Sequence, residues 1–229
     1  MKFKPSYTSS IAEDIMAERL IRAQAVEFLA DAPMRLKSGL ISPVYVDNRK
    51  LFSHPEAWRD IVETMASRVE EYDLEFDIVA GVEAAGSMHA AALAYRLGLP
   101  AIMVRQKATT YGNHSRIEGG DVNGMRVLLL EDHISTGLSC LDAIRALRGE
   151  GAQVTQVMSI TNYAIPETQR LFKQEGIDTY DVIAFEKVVR KAKEMGVIDD
   201  EHEKLVLEWL QTPWTWAAMH GVVASAIEN

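Results

Sequence analysis

Val127-Leu128-Leu129-Leu130-Glu131-Asp132-His133-Ile134-Ser135-Thr136-Gly137-Leu138-Ser139 is the stretch on which the reading of this chain turns. Its four leading apolar residues have the length and composition of a strand buried on both faces. Two carboxylates, Glu131 and Asp132, end the run and a Ser-Thr-Gly turn follows. Leu141, Ile144 and Leu147 then recur at helical spacing. A strand-loop-helix junction of this kind offers backbone N–H groups and hydroxyls to a phosphate at the helix N-terminus. The preceding acids are wrong for gripping phosphate but suit sugar hydroxyls or a metal ion. A site that holds phosphate beside hydroxyls points to a phosphorylated sugar. Each fragment alone has a plainer reading: acids at a strand end are commonly solvated caps, and Ser-Thr-Gly is an ordinary helix start. Their ordered combination carries the weight.

Working outward, the periodicity predicts strand 126–131 with helix 138–149, preceded by strand 76–82 with helix 86–97 and by strand 101–105. Strand 153–161 with helix 166–175 follows, and Pro166 suits a first helical turn. Residues 9–31 read as an N-terminal helix capped by Ser9 or Ser10. Residues 43–53 read as short strands flanking a turn, and Ile61, Val62, Met65 and Val69 share one helix face. This alternation predicts an α/β fold, a central mostly parallel sheet flanked by helices, with ligands beyond the carboxyl ends of its strands. Residues 106–125 break the pattern. They are polar, hold four glycines and lack a helical period, which predicts a lid or binding loop.

The 229 residues suffice for one α/β domain with a sizeable core. Apolar and charged contents of 48% and 25% are those of a soluble globular protein. A net charge of −9 argues against a nucleic-acid surface and requires any cations for a sugar phosphate to be concentrated locally. No run of 18 apolar residues occurs, and Lys2 and Lys4 precede no apolar stretch, so neither a membrane span nor a signal peptide is expected. Cys140 is the only cysteine; no internal disulfide can form, and a cytoplasmic location is expected. His54, His89, His202 and His220 show no metal-ligand spacing.

The opening stretch resembles the 13-residue phosphoribosyl-pyrophosphate motif of the type I phosphoribosyltransferases. Leu36-Lys37-Ser38-Gly39-Leu40-Ile41-Ser42-Pro43 with Tyr45-Val46-Asp47-Asn48-Arg49 resembles the hood segment of orotate phosphoribosyltransferases. Asp77 to Gly86 resembles their pyrophosphate loop. Val104-Arg105 leading to Tyr111-Gly112 and Arg116-Ile117-Glu118-Gly119 resembles their mobile catalytic loop, and Thr161-Asn162-Tyr163 their aromatic segment. The resemblance implies one phosphoribosyltransferase domain over 1–229: a small N-terminal hood at about 30–55, a core at about 56–195 and an apolar C-terminal extension at 196–229. Trp209, Trp214, Trp216, Val222, Val223 and Ile227 make that extension too apolar for a free tail.

The resemblance further implies Mg²⁺-dependent conversion of orotate and phosphoribosyl pyrophosphate into orotidine 5′-monophosphate and pyrophosphate, a step of pyrimidine biosynthesis. It assigns catalysis to Arg105, Lys107, Glu131 and Asp132. Phosphoribosyl pyrophosphate falls to Lys37, Arg105, Gln106, Thr109, Tyr111, Glu131, Asp132 and the run His133, Ile134, Ser135, Thr136, Gly137, Leu138 and Ser139. Orotate falls to Tyr45, Val46, Ser135 and Tyr163. No direct protein ligand to the metal is implied; substrate and water would hold it. A homodimer sharing loop 106–120 across its interface is also implied, with no nucleic acid or membrane partner.

Two loop positions depart from the family pattern: Gln106 and Thr109 stand where relatives carry basic residues, and Lys107 is the nearest substitute. Losing one preorganised electrostatic donor typically costs about 3 kcal/mol of transition-state stabilisation. Two classes of function therefore stand side by side. One is an orotate phosphoribosyltransferase, or a phosphoribosyltransferase for a related base. The other is a weakly active or non-catalytic relative that binds phosphoribosyl pyrophosphate or a nucleotide as a regulator.

Overall fold

The computed structural model describes residues 9–108 and 115–222. Helix α1 (Ser9–Arg22) is followed by four short strands: β1 (Val26–Phe28), β2 (Met34–Arg35), β3 (Ile41–Ser42) and β4 (Val44–Val46). The predicted helix over 9–31 thus ends early. Gln24 takes a left-handed φ of 53°, which terminates the helix, and β1 then pairs antiparallel with β4. Strands β2 and β3 form a second small hairpin, and the two hairpins make the N-terminal hood. The predicted strands over 43–53 survive only as β4, because Asn48–Ser53 winds into a 3-10 turn capped by the Asp47 carboxylate.

Next come α2 (Pro55–Glu71), β5 (Ile78–Val82), α3 (Ala85–Leu97), β6 (Ala101–Val104) and β7 (Ile117–Glu118). Strand β8 (Arg126–Ile134), α4 (Leu138–Gly149), β9 (Gln153–Asn162), α5 (Pro166–Gln174) and β10 (Asp178–Ala184) follow. The chain then forms α6 (Phe185–Glu194), α7 (Asp200–Gln211) and α8 (Trp216–Met219). The central sheet has six strands in the order β10-β9-β8-β5-β6-β7, all parallel except β7 at the edge. Residues 106–125 therefore conceal a short strand, which pairs Ile117 with Val104.

Strand β8 explains why the opening stretch reads so clearly. Leu128 and Leu130 enter a core shared with α1, α2, α3 and α6, while Val127 and Leu129 enter a second core beneath α4. All four are buried, each contributing on the order of 2 kcal/mol by leaving water. Topology then fixes where a ligand can sit. From β5 the chain steps outward to β6, whereas from β8 it steps the other way to β9 and β10. The adjacent carboxyl ends of β5 and β8 are thus a switch point, the crevice where open α/β sheets bind ligands.

The C-terminal segment packs as core. Trp209 and Trp216 are buried, whereas Trp214 is exposed; Val223 and Ile227 lie outside the described residues. The Trp209 indole Nε1 donates to Ile41 O at 2.8 Å, and its ring meets Tyr163 edge-on at 4.8 Å. Tyr163 Oη in turn donates to Val44 O. Helix α7 is thereby fastened to the hood. Trp209→Ala should destabilise the protein by about 3–5 kcal/mol, measured by urea denaturation.

Candidate active site

A cavity of about 950 Å³ opens at the switch point. Its wall brings together Lys37, Tyr45, Val46, Gln106, Glu131, Asp132, His133, Ser135, Thr136, Leu138, Ser139 and Tyr163 from six separate segments of the chain. Of the other residues singled out in the sequence, Arg105, Lys107, Ile134 and Gly137 are not part of the wall. Thr109 and Tyr111 lie outside the described residues.

The two acids end β8 in different environments. Glu131 is buried, with Oε1 accepting from Asp132 N at 3.2 Å and Oε2 facing Cys140 Sγ at 3.9 Å. Burial first, then the neighbouring Asp132 charge, holds its carboxyl well above the usual range. Asp132 is also pushed up by burial, an effect partly opposed by hydrogen bonds and by the Arg49 guanidinium. Its backbone is fixed from the hood: Asn48 Nδ2 donates to Asp132 O at 2.7 Å and to Thr161 Oγ1 at 3.2 Å. Gly86 lets α3 approach this strand end, since a Cβ there would lie 2.6 Å from Leu130 O.

The turn after the acids is shaped by Gly137 at φ 73°, which closes it directly into α4. Thr168 Oγ1 donates to Ser135 O at 3.3 Å and braces the turn from α5. Ser135, Thr136 and Ser139 face the cavity at the N-terminus of α4, so hydroxyls and a helix dipole converge there. Ile134 does not line the cavity; it is buried and its carbonyl accepts from Tyr163 N.

His133 and Tyr163 form a wall behind the hood, their rings edge-to-face at 4.2 Å. Burial lowers the His133 pKa to about 3, so the imidazole is neutral, and Nδ1 pairs with Thr161 Oγ1 at 2.9 Å. Burial likewise raises the Tyr163 phenol, which stays neutral.

The cations are unevenly committed. Arg105 Nη1 pairs with Glu118 Oε1 at 2.7 Å, and its Nε lies 4.0 Å from Glu83 Oε1. Arg49 grips Asp47 through two hydrogen bonds of 2.6 and 2.9 Å. Gln106 N and Nε2 both donate to Glu83. Sequence reasoning passed over Arg35, Ser38, Asp47, Arg49 and Glu83 on the wall. A signal existed for two of them: Arg35 stands two residues before Lys37, on the same side of an extended chain, and Glu83 ends an apolar strand just as Glu131 does.

Among the described residues no three His, Cys, Asp or Glu side chains are grouped to hold a metal. No helix of the described residues is long and apolar enough to cross a membrane.

Comparison with known proteins bears on this arrangement. Residues 47–194 match the phosphoribosyl transferase domain. The orotate phosphoribosyltransferase of Coxiella burnetii is 40% identical over 201 residues, covering 88% of this chain and 96% of its own. That of Sinorhizobium medicae is 36% identical, covering 99% of this chain and 100% of its own. The crystal structure of orotate phosphoribosyltransferase from Aeropyrum pernix superposes with a TM-score of 0.68 at 25% identity, covering 80% of this chain and 99% of its own. An acidic strand end and hydroxyl-lined turn at the switch point, together with near-full-length similarity, place this chain in the phosphoribosyltransferase family, among the orotate phosphoribosyltransferases.

Proposed function

We propose that this protein transfers a phosphoribosyl group from phosphoribosyl pyrophosphate to orotate, giving orotidine 5′-monophosphate and pyrophosphate. The carrying observation is that Glu131 and Asp132 adjoin the Ser135–Ser139 turn in one cavity that the hood residues Tyr45 and Val46 also line. The turn receives the 5′-phosphate through N–H and O–H donors. Glu131 and Asp132 accept the ribose 2′- and 3′-hydroxyls. As the bond from C1′ to the leaving oxygen stretches, positive charge grows on the sugar. The ionised carboxylates of a largely water-free cavity stabilise it more than they stabilise the ground state. The flat base lies between Tyr45, Val46 and the His133–Tyr163 wall. Both ring groups of that wall are neutral at working pH and add no charge beside the reacting centre.

Mg²⁺ suits this site because Glu131 and Asp132 present hard oxygen donors to the cavity; the ion would neutralise pyrophosphate oxygens, with substrate and water completing its shell. Lys107 is exposed on the described start of the loop, where closure can carry it toward the leaving group. The proposed assembly is a homodimer in which loop 106–120 serves the neighbouring site. Met88 and Tyr95, 46% and 91% exposed and seven residues apart on α3, supply an apolar stripe for such a contact. A cytoplasmic setting suits the buried free thiol of Cys140.

Arg105, already paired with Glu118, favours one competing reading, in which the protein binds phosphoribosyl pyrophosphate as a regulator and turns over weakly or not at all. Mixing the protein with Mg²⁺, phosphoribosyl pyrophosphate and orotate should consume orotate, followed by its loss of absorbance. Binding of phosphoribosyl pyrophosphate without turnover would transfer the assignment to the regulator. Turnover of another pyrimidine in place of orotate would keep the transferase and change the base.

A further inference from the structure

Charge on the cavity wall is out of balance with the substrate proposed for it. Four carboxylates line the cavity, Asp47, Glu83, Glu131 and Asp132, against three cations, Arg35, Lys37 and Arg49. Arg49 is committed to Asp47 by a bidentate pair. Arg105, the nearest strand-end cation, is committed to Glu118. Only Arg35 and Lys37 remain on the described wall without a carboxylate partner. The pyrophosphate of the donor sugar carries several negative charges and gains another as its bond to C1′ breaks. One flexible lysine is a poor match for that anion, because an ammonium acts as a point charge whereas a guanidinium offers a planar fork.

Arg35 is placed to serve. It ends β2, where its backbone pairs with Ile41, and it is exposed on the cavity side of the hairpin that carries Lys37 at its tip. Its single described hydrogen bond runs from Nη1 to Gly39 O at 3.2 Å, within the same turn. That bond steers the guanidinium along the hairpin and leaves most of its five N–H donors uncommitted. The 5′-phosphate turn and the two acids occupy the β8 side of the cavity. The hood hairpin, facing the Glu83–Ala85 segment and Gln106, is left for the other end of the sugar.

We propose that Arg35 is a substrate-binding residue that grips the pyrophosphate end of phosphoribosyl pyrophosphate, with Lys37 beside it. This rests on the substrate assigned under Proposed function. The test compares the full-length protein with Arg35→Gln and Arg35→Lys, using calorimetric titration with phosphoribosyl pyrophosphate and with inorganic pyrophosphate, and steady-state kinetics with orotate. Glutamine keeps a donor for Gly39 O but no charge, so it separates anion binding from turn-holding.

Arg35→Gln should weaken both anions roughly tenfold or more, the scale of losing a charged hydrogen-bond partner. The KM for orotate should stay within about twofold and the melting temperature should be unchanged, while Arg35→Lys should recover part of the loss. Wild-type affinity in Arg35→Gln would overturn the proposal, leaving only the turn contact. A rise in orotate KM with pyrophosphate binding intact would overturn it in favour of the base carboxylate. A wild-type protein that binds pyrophosphate through Arg35 but never consumes orotate would uphold this contact and defeat the catalytic reading. Failure of the wild type to bind either anion would defeat both.

Discussion

Replacing Glu131 by Gln and Asp132 by Asn together should lower kcat/KM at least about a hundredfold while raising the melting temperature at neutral pH. The loss follows from chemistry. Amides can still bond to ribose hydroxyls, but they bring no negative charge to a sugar centre that becomes cationic. The gain in stability follows from burial. Both carboxyls have folded-state pKa values raised above the ordinary range, chiefly because they sit away from water, and Glu131 also faces the Asp132 charge. Their protonated forms are therefore favoured by the fold.

The stability these groups contribute is fully present below the ordinary carboxylate pKa and disappears as pH rises through the raised values. At pH 7 to 8 the ionised pair costs the native state free energy, and the uncharged amides remove that cost. Each kcal/mol recovered corresponds to about 2–4 °C in a chain of this size. Scanning calorimetry of both proteins across pH checks this: the gap should shrink as pH falls toward 4 and the native carboxyls take up protons. A double variant that melts lower throughout, or one that keeps its turnover, contradicts the account.

Gly137→Ala should cost about 2–4 kcal/mol of stability and weaken phosphoribosyl pyrophosphate more than tenfold. Two penalties combine. The left-handed φ of 73° disfavours any Cβ by about 1–2 kcal/mol. The added methyl would also stand 2.8 Å from Thr168 Cγ2 and 3.0 Å from Phe172 Cζ, and overpacking of this kind costs about 1–3 kcal/mol. Neither neighbour gives way cheaply. Phe172 is buried in the core under α4, and Thr168 is the residue whose hydroxyl braces Ser135 O. Any relief of the clash therefore displaces the turn that receives the 5′-phosphate. Urea denaturation and calorimetric titration measure the two effects. Parent-like values for both would show that the turn tolerates far more movement than its packing suggests.

How much of this could be read from the chain alone depended on whether neighbours in sequence or neighbours in space decide the matter. Helix 138–149 matches its prediction at both ends, because a left-handed glycine and an amphipathic period are local signals. The acids and the hydroxyl turn were legible for the same reason. The N-terminal helix was overrun because Ala25, Val26, Phe28 and Leu29 continue an apolar spacing. What stops it is a pairing with β4, eighteen residues or more away. Arg105 reads as a grip for phosphate until Glu118, brought beside it by the β6–β7 pairing, is seen. Asn48 carries no sequence signal at all; its role exists only once the hood lies against the ends of β8 and β9. Arg35 needed the opposite step, since its importance lies in the carboxylates that do not reach it.

Synthesis on the ribosome adds a last consequence. Every side chain on the cavity wall, from Met34 to Tyr163, is translated before Trp209, which secures the strand carrying Ile41 and braces Tyr163. A nascent chain halted just short of that tryptophan would hold the whole chemical inventory for nucleotide formation without a settled place for the base. Competence should arrive late and abruptly, as α7 emerges and docks.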